Sequence, residues 1–261
     1  MLDLCLVGGL GRMGKALASM AEADSGLRIV SVWETAYAVG EAGDYSRATG
    51  YSKNQVLVTA SGADAVEPCR VVVDFSLPQA FPEVVRVCED LARPLVTGTT
   101  GIEGKSAALA GLARKAAVVC APSMAAGMAT MVHLVESAAG EVGRSADIEI
   151  VEAHHRGKKD VPSGTALELA RLIGARAGKH VVVGRAQGPA ARADELVIHS
   201  LRVGDVPGTH TVVFSLRGET LEITHTAQSR DCFAAGALRA ARFAAEAGPG
   251  LYGMSDVLAA G

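Results

Sequence analysis

A glycine-rich turn near the start of the chain constrains the fold more than any other feature of this sequence. It lies between the apolar run Leu2–Val7 and the helical pattern Gly11–Ala23, and its glycines at 9, 11 and 14 match Gly-x-Gly-x-x-Gly. Such glycines let the backbone turn tightly and approach a pyrophosphate, which the free N–H groups of the helix start can bind. Glu34 closes the next apolar run 20 residues after Gly14, where a carboxylate can accept hydrogen bonds from a ribose. The spacing therefore predicts a strand–helix–strand unit that binds a dinucleotide, although an ordinary strand-to-helix turn can carry the same glycines.

Two other classes of nucleotide-binding enzyme do not fit the sequence. The stretch from Gly9 to Lys15 also matches the phosphate loop of nucleotide triphosphatases, but the next residue is Ala16, which has no oxygen to bind magnesium. None of the four tyrosines is followed four residues later by the lysine that short-chain dehydrogenases use. The chemistry of this chain must therefore depend on residues elsewhere.

Short apolar runs alternate with helical patterns through the first two-thirds of the chain. Further strands are expected at 27–34, 71–75, 94–97 and 118–120, further helices at 81–91 and 105–115, and an irregular stretch from Thr35 to Gln55. This alternation predicts an α/β fold with a doubly wound parallel sheet and right-handed crossovers.

The pattern changes after Pro122. A helix is expected at 124–142, a strand at 147–153, a helix at 163–177 and strands at 195–201, 209–216 and 220–226. Several strands close together predict a second domain with a mostly antiparallel or mixed sheet. A last helix at 232–247 has no obvious place in that sheet.

Composition excludes several function classes. The 261 residues can bury a core without disulfides or metals, and a net charge of −3 argues against a nucleic-acid-binding surface. The uncharged stretch from 116 to 135 is long enough to span a membrane, but it contains Pro122 and Gly127, so no membrane span is expected. No secretory signal is visible, and the five widely spaced cysteines suggest reduced thiols of a cytoplasmic protein.

The most informative segment of the second half is rich in cations. Five potential cations fall within the six residues from His154 to Lys159, and Pro162 and Ser163 then begin a helix. The N–H groups of Gly164 and Thr165 are expected to be free at that helix start, where the helix dipole also favours an anion. Together these groups suit a small dicarboxylate, although a solvated basic loop is the alternative interpretation.

Zinc is the other alternative for these histidines. The sequence has no His-Glu-x-x-His pattern, and the neighbouring lysines would repel a divalent ion, so no metal is assigned. The remaining histidines are scattered and are expected to be structural: His133, His180, His199, His210 and His225.

A set of motifs in fixed order resembles one enzyme family. The motifs are Gly8-x-x-Gly-Arg-Met-Gly14, Asp74-Phe75-Ser76-x-Pro78, Gly98-Thr99-Thr100-Gly101, Glu152-Ala-His-His155, Lys158-x-Asp160-x-Pro-Ser-Gly-Thr165 and Glu222-Ile-Thr-His225. They resemble the 4-hydroxy-tetrahydrodipicolinate reductase (dihydrodipicolinate reductase) family of the diaminopimelate route to lysine. The resemblance extends over essentially the whole chain, and the histidine-to-threonine motif is its most specific part.

The resemblance implies a Rossmann domain and an inserted α+β domain. The first would comprise residues 1–124 plus 232–261, which gives the last helix a place, and the second would comprise residues 125–231. The second domain would bind the substrate and assemble a homotetramer. Expected partners are thus copies of this chain and a dicarboxylate, with no nucleic acid and no membrane.

The resemblance also implies roles for individual residues. His154 and Lys158 would be the catalytic acid–base pair, and His155, Gly164 and Thr165 would hold the substrate carboxylates. The residues expected to bind the cofactor are Gly8, Gly9, Leu10, Gly11, Arg12, Met13, Glu34, Gly98, Thr99, Thr100, Ala121, Pro122, Ser123 and Met124. Hydride transfer to a conjugated cyclic imine leaves an electron-rich carbon that a histidine or lysine can protonate.

The chain departs from the family pattern at two places near the cofactor. Family members commonly have Ala-Pro-Asn-Phe-Ser where this chain has Ala-Pro-Ser-Met-Ala at 121–125, so a thioether replaces a ring beside the nicotinamide. Members that accept NADPH often carry arginine after the ribose acid, where this chain has Thr35. NADH is therefore the expected cofactor, with NADPH possible if Arg47 or Lys53 reaches the phosphate. A reductase of another cyclic imine dicarboxylate and a non-catalytic dinucleotide sensor are the alternative functions.

Overall fold

The computed structural model describes residues 1–42, 45–102, 104–185 and 194–260 of the chain. These residues divide into two compact units, one formed by 1–126 with 230–261 and the other by 127–229. The domain boundaries expected from the sequence differ from these limits by two residues at each junction.

The described residues of the first unit form a seven-stranded parallel sheet. Its order is β12-β6-β5-β4-β1-β2-β3. The strands are β1 (Leu2–Val7), β2 (Leu27–Trp33), β3 (Leu57–Thr59), β4 (Val71–Asp74), β5 (Leu95–Thr97), β6 (Ala117–Cys120) and β12 (Gly250–Tyr252). All four residues of β4 are buried, as expected for a parallel strand that is covered on both faces. This sheet and its helices confirm the predicted fold class.

The strand order creates a crevice at the centre of the sheet. From β1 the chain winds through β2 and β3 to one edge, and then returns to β4 on the other side of β1. The carboxyl ends of β1 and β4 therefore meet where the winding direction changes, which is the usual place for a ligand in such sheets.

The described part of the first unit also contains helices. They are α1 (Arg12–Ala23), α2 (Ala36–Ala42), α3 (Tyr45–Thr49), α4 (Gly62–Val66), α5 (Phe81–Asp90), α6 (Lys105–Ala113), α9 (Asp231–Glu246) and α10 (Met254–Ala259). Helix α9, the helix that lacked a place in the second sheet, packs against α1 and against β4, β5 and β6. Its contact side is made of small residues, and a Cβ on Gly236 would lie 1.7 Å from the carbonyl oxygen of Met124.

The stretch from Thr35 to Gln55 was expected to be irregular, and this expectation is wrong for residues 36–42 and 45–49, whereas residues 50–55 form neither helix nor strand. It contains α2 and α3, while residues 43–44 lie outside the described residues. Buried tyrosines hold the segment in place: Tyr51 is fully buried, and its hydroxyl accepts a hydrogen bond from Ile29 N–H (2.9 Å). Such anchors lack a helical period, so the sequence pattern did not reveal them.

The described residues of the second unit form a five-stranded mixed sheet in the order β11-β10-β7-β9-β8. The strands are β7 (Asp147–His154), β8 (His180–Val183), β9 (Glu195–Arg202), β10 (Gly208–Leu216) and β11 (Glu219–Ala227), and the helices are α7 (Ala126–Glu141) and α8 (Gly164–Ala177). Strand β7 is antiparallel to β10 and parallel to β9. Its position between these two strands determines which side chains surround its carboxyl end.

No helix in the described part of the chain is long and apolar enough to cross a membrane. The five cysteines are free thiols, of which Cys5, Cys69 and Cys88 are buried.

Candidate functional site

The glycine-rich turn has the backbone geometry that a pyrophosphate requires. Gly8 adopts a positive φ of 76°, and Gly11 is the extended residue from which α1 begins. A Cβ on Gly14 would lie 2.1 Å from the carbonyl oxygen of Gly9, so the turn and the first helix can approach each other only because residue 14 has no side chain. Arg12 and Met13 lie in the first turn of α1, where Arg12 is exposed. The turn therefore fits a dinucleotide, with unblocked N–H groups at the helix start.

Glu34 lies at the carboxyl end of β2 beside this turn. One of its carboxylate oxygens accepts a hydrogen bond from Leu10 N–H (2.8 Å), which fixes the side chain at the edge of the turn. A cavity of about 610 Å³ opens here. Its lining residues are Val7, Gly8, Gly11, Trp33, Glu34, Thr35, Ala36, Ala60, Phe75, Ser76, Leu77, Gln79, Ala80 and Glu83. A cavity of this size at the centre of the sheet fits the adenosine end of a dinucleotide.

The two basic residues named as possible phosphate partners differ in position. Lys53 Nζ donates to the backbone carbonyls of Ala21 (2.6 Å) and Leu27 (3.3 Å), so it is engaged at the far end of α1. Arg47 is exposed on α3. Thr35, the residue after Glu34, is exposed and carries no charge.

A buried carboxylate joins the two loops that follow β4 and β5. Asp74 is fully buried and accepts four hydrogen bonds: two from the N–H (2.9 Å) and hydroxyl (2.6 Å) of Ser76, and one each from Thr97 and Thr99 (2.8 Å). Gly98 lies between these threonines, and a Cβ there would be 2.3 Å from the ring of Phe75. Thr99 is 3% exposed, whereas Thr100 is exposed. Asp74 thus holds the segment from Gly98 to Thr100 against the carboxyl end of β4.

The segment from Ala121 to Met124 belongs to the first unit, and two of its four residues are buried. Ala121 is 7% and Met124 1% exposed, while Pro122 is exposed and Ser123 half-buried. The side chain of Met124 is therefore buried. The role of this segment in binding a nicotinamide stays a prediction.

In the second unit, a buried glutamate organises the histidine motif. Glu152 is fully buried, and its Oε2 lies 2.5 Å from His154 Nδ1. Arg202 binds both carboxylate oxygens at 2.9 Å, and Ser163 N–H donates to Oε1 at 3.1 Å. Burial alone would raise the pKa of Glu152, but hydrogen bonds from Arg202 and His154 outweigh burial and lower the pKa to about 2. Glu152 is therefore an ionised acceptor at neutral pH.

His154 is itself buried, with 8% of its surface exposed. Burial lowers the pKa of His154 below its ordinary value, the Glu152 carboxylate opposes this effect, and the charges of Lys158 and Arg202 add to it. The imidazole is therefore neutral at neutral pH. An ionised carboxylate can only accept, so the ring proton lies on Nδ1 and the lone pair on Nε2.

A second histidine, which was expected from the sequence to be structural, packs against the first. The rings of His154 and His210 lie edge to face with centroids 5.1 Å apart, and His210 Nε2 lies 3.0 Å from the hydroxyl of Ser163. Burial, with His154 next in importance, lowers the pKa of His210 to about 3. His210 is thus a neutral neighbour that links His154 to the start of α8.

The remaining residues of the motif surround the start of α8. Lys158 Nζ lies 2.9 Å from Asp160 Oδ2, which keeps an ammonium group near the histidines. Ser163 caps the helix by accepting from Ala166 N–H (3.2 Å). Among the described residues, none accepts a hydrogen bond from the N–H groups of Gly164 or Thr165, and the space beside Gly164 is open. These groups can therefore bind a carboxylate.

The structure brings together the catalytic and substrate residues named from the sequence within the second unit. His154, His155, Lys158, Gly164 and Thr165 all lie at or after the carboxyl end of β7. The residues named for the cofactor lie in the first unit. Sequence reasoning missed the contributions of Arg202 and His210, because only the register of β9 and β10 with β7 places them beside Glu152. The one sequence feature that could have drawn attention to Arg202 is its position at the end of a largely apolar strand.

Comparison with known proteins agrees with this arrangement. A family model described as dihydrodipicolinate reductase, N-terminus, matches residues 2–124, and one described as dihydrodipicolinate reductase, C-terminus, matches residues 127–258. The 4-hydroxy-tetrahydrodipicolinate reductase of Halorhodospira halophila is 38% identical over 264 residues, covering 98% of both chains. That of Myxococcus xanthus is also 38% identical over 265 residues, covering 99% of this chain and 98% of the relative.

Solved structures agree at the level of the fold. A dipicolinate-bound dihydrodipicolinate reductase from Paenisporosarcina sp. TG-14 superposes with a TM-score of 0.75 at 23% identity, covering 97% of both chains. An amine dehydrogenase from Mycobacterium smegmatis gives 0.61 at 15% identity, with 96% and 94% covered. Because family models match both units and relatives match nearly the full length, this chain belongs to the dihydrodipicolinate reductase family.

Proposed function

We propose that this chain reduces 4-hydroxy-tetrahydrodipicolinate to tetrahydrodipicolinate, with a nicotinamide dinucleotide as hydride donor. The observation that carries the proposal is the cluster at the carboxyl end of β7. It combines a neutral histidine that is hydrogen-bonded to a buried carboxylate, a lysine, and the free N–H groups of a helix start. The relatives that match this chain along nearly its full length carry the name of this reaction.

The helix start and His155 would bind the substrate carboxylates. Gly164 and Thr165 would donate their N–H groups, and the Thr165 hydroxyl would donate a further hydrogen bond. Carboxylates at a helix N-terminus gain from the helix dipole as well as from these donors. This arrangement explains why a dicarboxylate, rather than a neutral imine, would be the preferred substrate.

His154 and Lys158 would move the protons of the reaction. Bound nicotinamide supplies the hydride, and the hydroxyl group of the substrate leaves as water after taking a proton. The ammonium of Lys158 is the available donor, because His154 is neutral and its ring proton is held by Glu152. Nε2 of His154 would accept a proton from the ring carbon beside the reduced one and return it after hydride transfer.

Purified protein coupled to dihydrodipicolinate synthase tests this function. We expect NADH oxidation that depends on the synthase product, and we expect Lys158→Ala and His154→Ala to lower kcat by roughly 100-fold or more while the dissociation constant for NADH changes little. Thr165→Val should chiefly raise KM for the dicarboxylate. Unchanged kcat in both Lys158→Ala and His154→Ala would refute the proton-transfer roles of these two residues, and no consumption of NADH would favour another cyclic imine or a sensor.

We propose NADH as the preferred cofactor. Glu34 would bind the ribose hydroxyls and repel a 2′-phosphate, Thr35 offers no cation, and Lys53 is engaged by backbone carbonyls. The Thr35→Arg variant should lower KM for NADPH and leave that for NADH nearly unchanged. A wild-type KM for NADPH clearly below that for NADH contradicts this preference.

We also propose the homotetramer that the family resemblance implies. Strand β11 forms an edge of the second sheet, and its residues from 219 to 226 are exposed or half-buried, so a second copy could cover them. Sedimentation velocity would show a species of about four chains if this is correct, and a monomer would refute it. The cytoplasmic location stays a prediction from the sequence.

A further inference from the structure

Four hydrogen bonds hold the carboxylate of Glu152. Its two oxygens accept from Arg202 twice, from Ser163 N–H and from His154 Nδ1, at 2.5 to 3.1 Å. The side chain is fully buried, and that of Arg202 is 16% exposed. Two parallel hydrogen bonds from one guanidinium group fix the orientation of the carboxylate.

We propose that Glu152 and Arg202 are positioning residues that hold His154 in a single tautomer and present its Nε2 for proton exchange. The inference rests on the proposed function and goes further by assigning a task to two residues that would not touch the substrate. Arg202 holds the carboxylate in place, the carboxylate holds the ring, and the ring exchanges the proton.

The geometry explains why two residues are needed. The carboxylate must stay ionised inside the protein to accept from Nδ1, and burial without a cation opposes the ionised form. Arg202 supplies that cation with two parallel hydrogen bonds. Lysine could offer the charge but not both bonds in one plane.

The space around Nε2 is consistent with this task. Among the described residues, none forms a hydrogen bond with Nε2 of His154. A Cβ on residue 208 would lie 3.0 Å from this nitrogen, but the residue there is Gly208, which has no side chain. One nitrogen of the ring is thus fixed by Glu152, and the other has no hydrogen-bond partner among the described residues.

The titration of His154 depends on several groups from different elements. They are Glu152 on β7, Lys158 on the following loop, Arg202 on β9 and His210 on β10, while Asp160 pairs with Lys158. Of these, Glu152 raises the pKa of His154, while Lys158 and Arg202 lower it. Removal of the Glu152 charge should therefore lower that pKa further.

Glu152→Gln is the test, with Glu149→Gln as its matched control. Glu149 lies on the same strand and also pairs with a histidine and an arginine, His199 (2.7 Å) and Arg185. We expect Glu152→Gln to lower kcat about 100-fold. We expect the dissociation constant for NADH to remain unchanged and the apparent pKa of His154 to fall. Nitrogen-15 spectra should show His154 protonated on Nδ1 in the wild type and a mixture of tautomers in the variant, with Glu149→Gln like the wild type.

Arg202→Gln provides the same readouts if Glu152→Gln does not fold. It removes the buried cation that favours the ionised form of Glu152, so it should also give a mixture of His154 tautomers, with a smaller loss of kcat. Unchanged tautomer, His154 pKa and kcat in the variant that folds would overturn the proposal, as would an equal kcat loss in Glu149→Gln. The proposed function fails separately, by inactivity of the wild type or by full activity of His154→Ala.

Discussion

At the scale of single residues, Gly14 shows how little space the dinucleotide turn allows. A Cβ at this position would lie 2.1 to 2.4 Å from three backbone atoms of Gly9, which cannot move without opening the turn. Gly14→Ala should therefore lower the free energy of unfolding by about 1–3 kcal/mol, as overpacking does elsewhere. It should also weaken NADH binding, because the turn itself would shift.

Gly40 offers a matched control for that substitution. It lies in α2, and a Cβ there would meet nothing within 4 Å. Gly40→Ala should leave stability unchanged or raise it by up to about 1 kcal/mol. Urea unfolding and fluorescence titration with NADH measure both effects, and equal behaviour of the two variants would contradict the steric argument.

The histidine cluster predicts how stability depends on pH. The pKa of His210 is about 3 in the folded protein and about 6.5 in an unfolded chain, so between these values only the unfolded state binds the proton. The free energy of unfolding should therefore decrease as the pH falls below about 6.5, by at most about 1.4 kcal/mol per pH unit from this residue. Urea unfolding between pH 7 and pH 5 measures this slope, because these pH values lie above those at which Glu152 takes up a proton.

His210→Gln isolates that contribution. It should make the dependence on pH shallower, whereas His180→Gln, at an exposed strand residue, should keep the wild-type slope. His154 and His225 also have lowered pKa values, so part of the slope should remain. A wild-type slope in His210→Gln would show that the burial of this ring is not what couples folding to protons.

At the scale of elements, the start of α8 joins stability to the site. The Ser163 hydroxyl caps the helix and also contacts His210, so Ser163→Ala should remove two interactions. We expect a loss of about 2 kcal/mol in the free energy of unfolding, about half from the cap and half from the histidine. Ser61 caps α4 through a single bond to Asp64 N–H, and Ser61→Ala should lose about 1 kcal/mol. Equal losses would mean that the contact with His210 contributes nothing.

At the scale of the whole molecule, one unit is a single continuous segment of the chain and the other consists of two separate segments. Residues 127–229 are continuous, whereas the first unit needs 230–261, which supply α9 and strand β12. Residues 127–229 expressed alone should unfold cooperatively, and residues 1–126 alone should aggregate because the sheet surface under α9 is uncovered. Joining 230–261 to 1–126 by a short linker should restore NADH binding. A stable, NADH-binding 1–126 fragment would contradict this view.

Features that depend on residues close together in the chain could be predicted from the sequence, whereas features that depend on distant contacts could not. Parallel strands such as β1 and β4 are mainly apolar, because both faces of each strand are largely covered, so their type and approximate ends were predictable. The three-residue strands β3 and β12 were not predicted, since their pairing with β2 and β6 gives them their structure. Within the site, residues 154 to 165 were found together because they form one local motif.

By itself, the sequence determined the dinucleotide turn, the doubly wound sheet and the start of α8. Each depends on residues that are neighbours in the chain and that restrict the backbone directly. Only the tertiary structure decided that Arg202 and His210 surround Glu152 and His154, and that Lys53 is engaged at the end of α1. Those contacts join residues tens of positions apart, and they exist because strand pairing and burial select one register for the whole sheet.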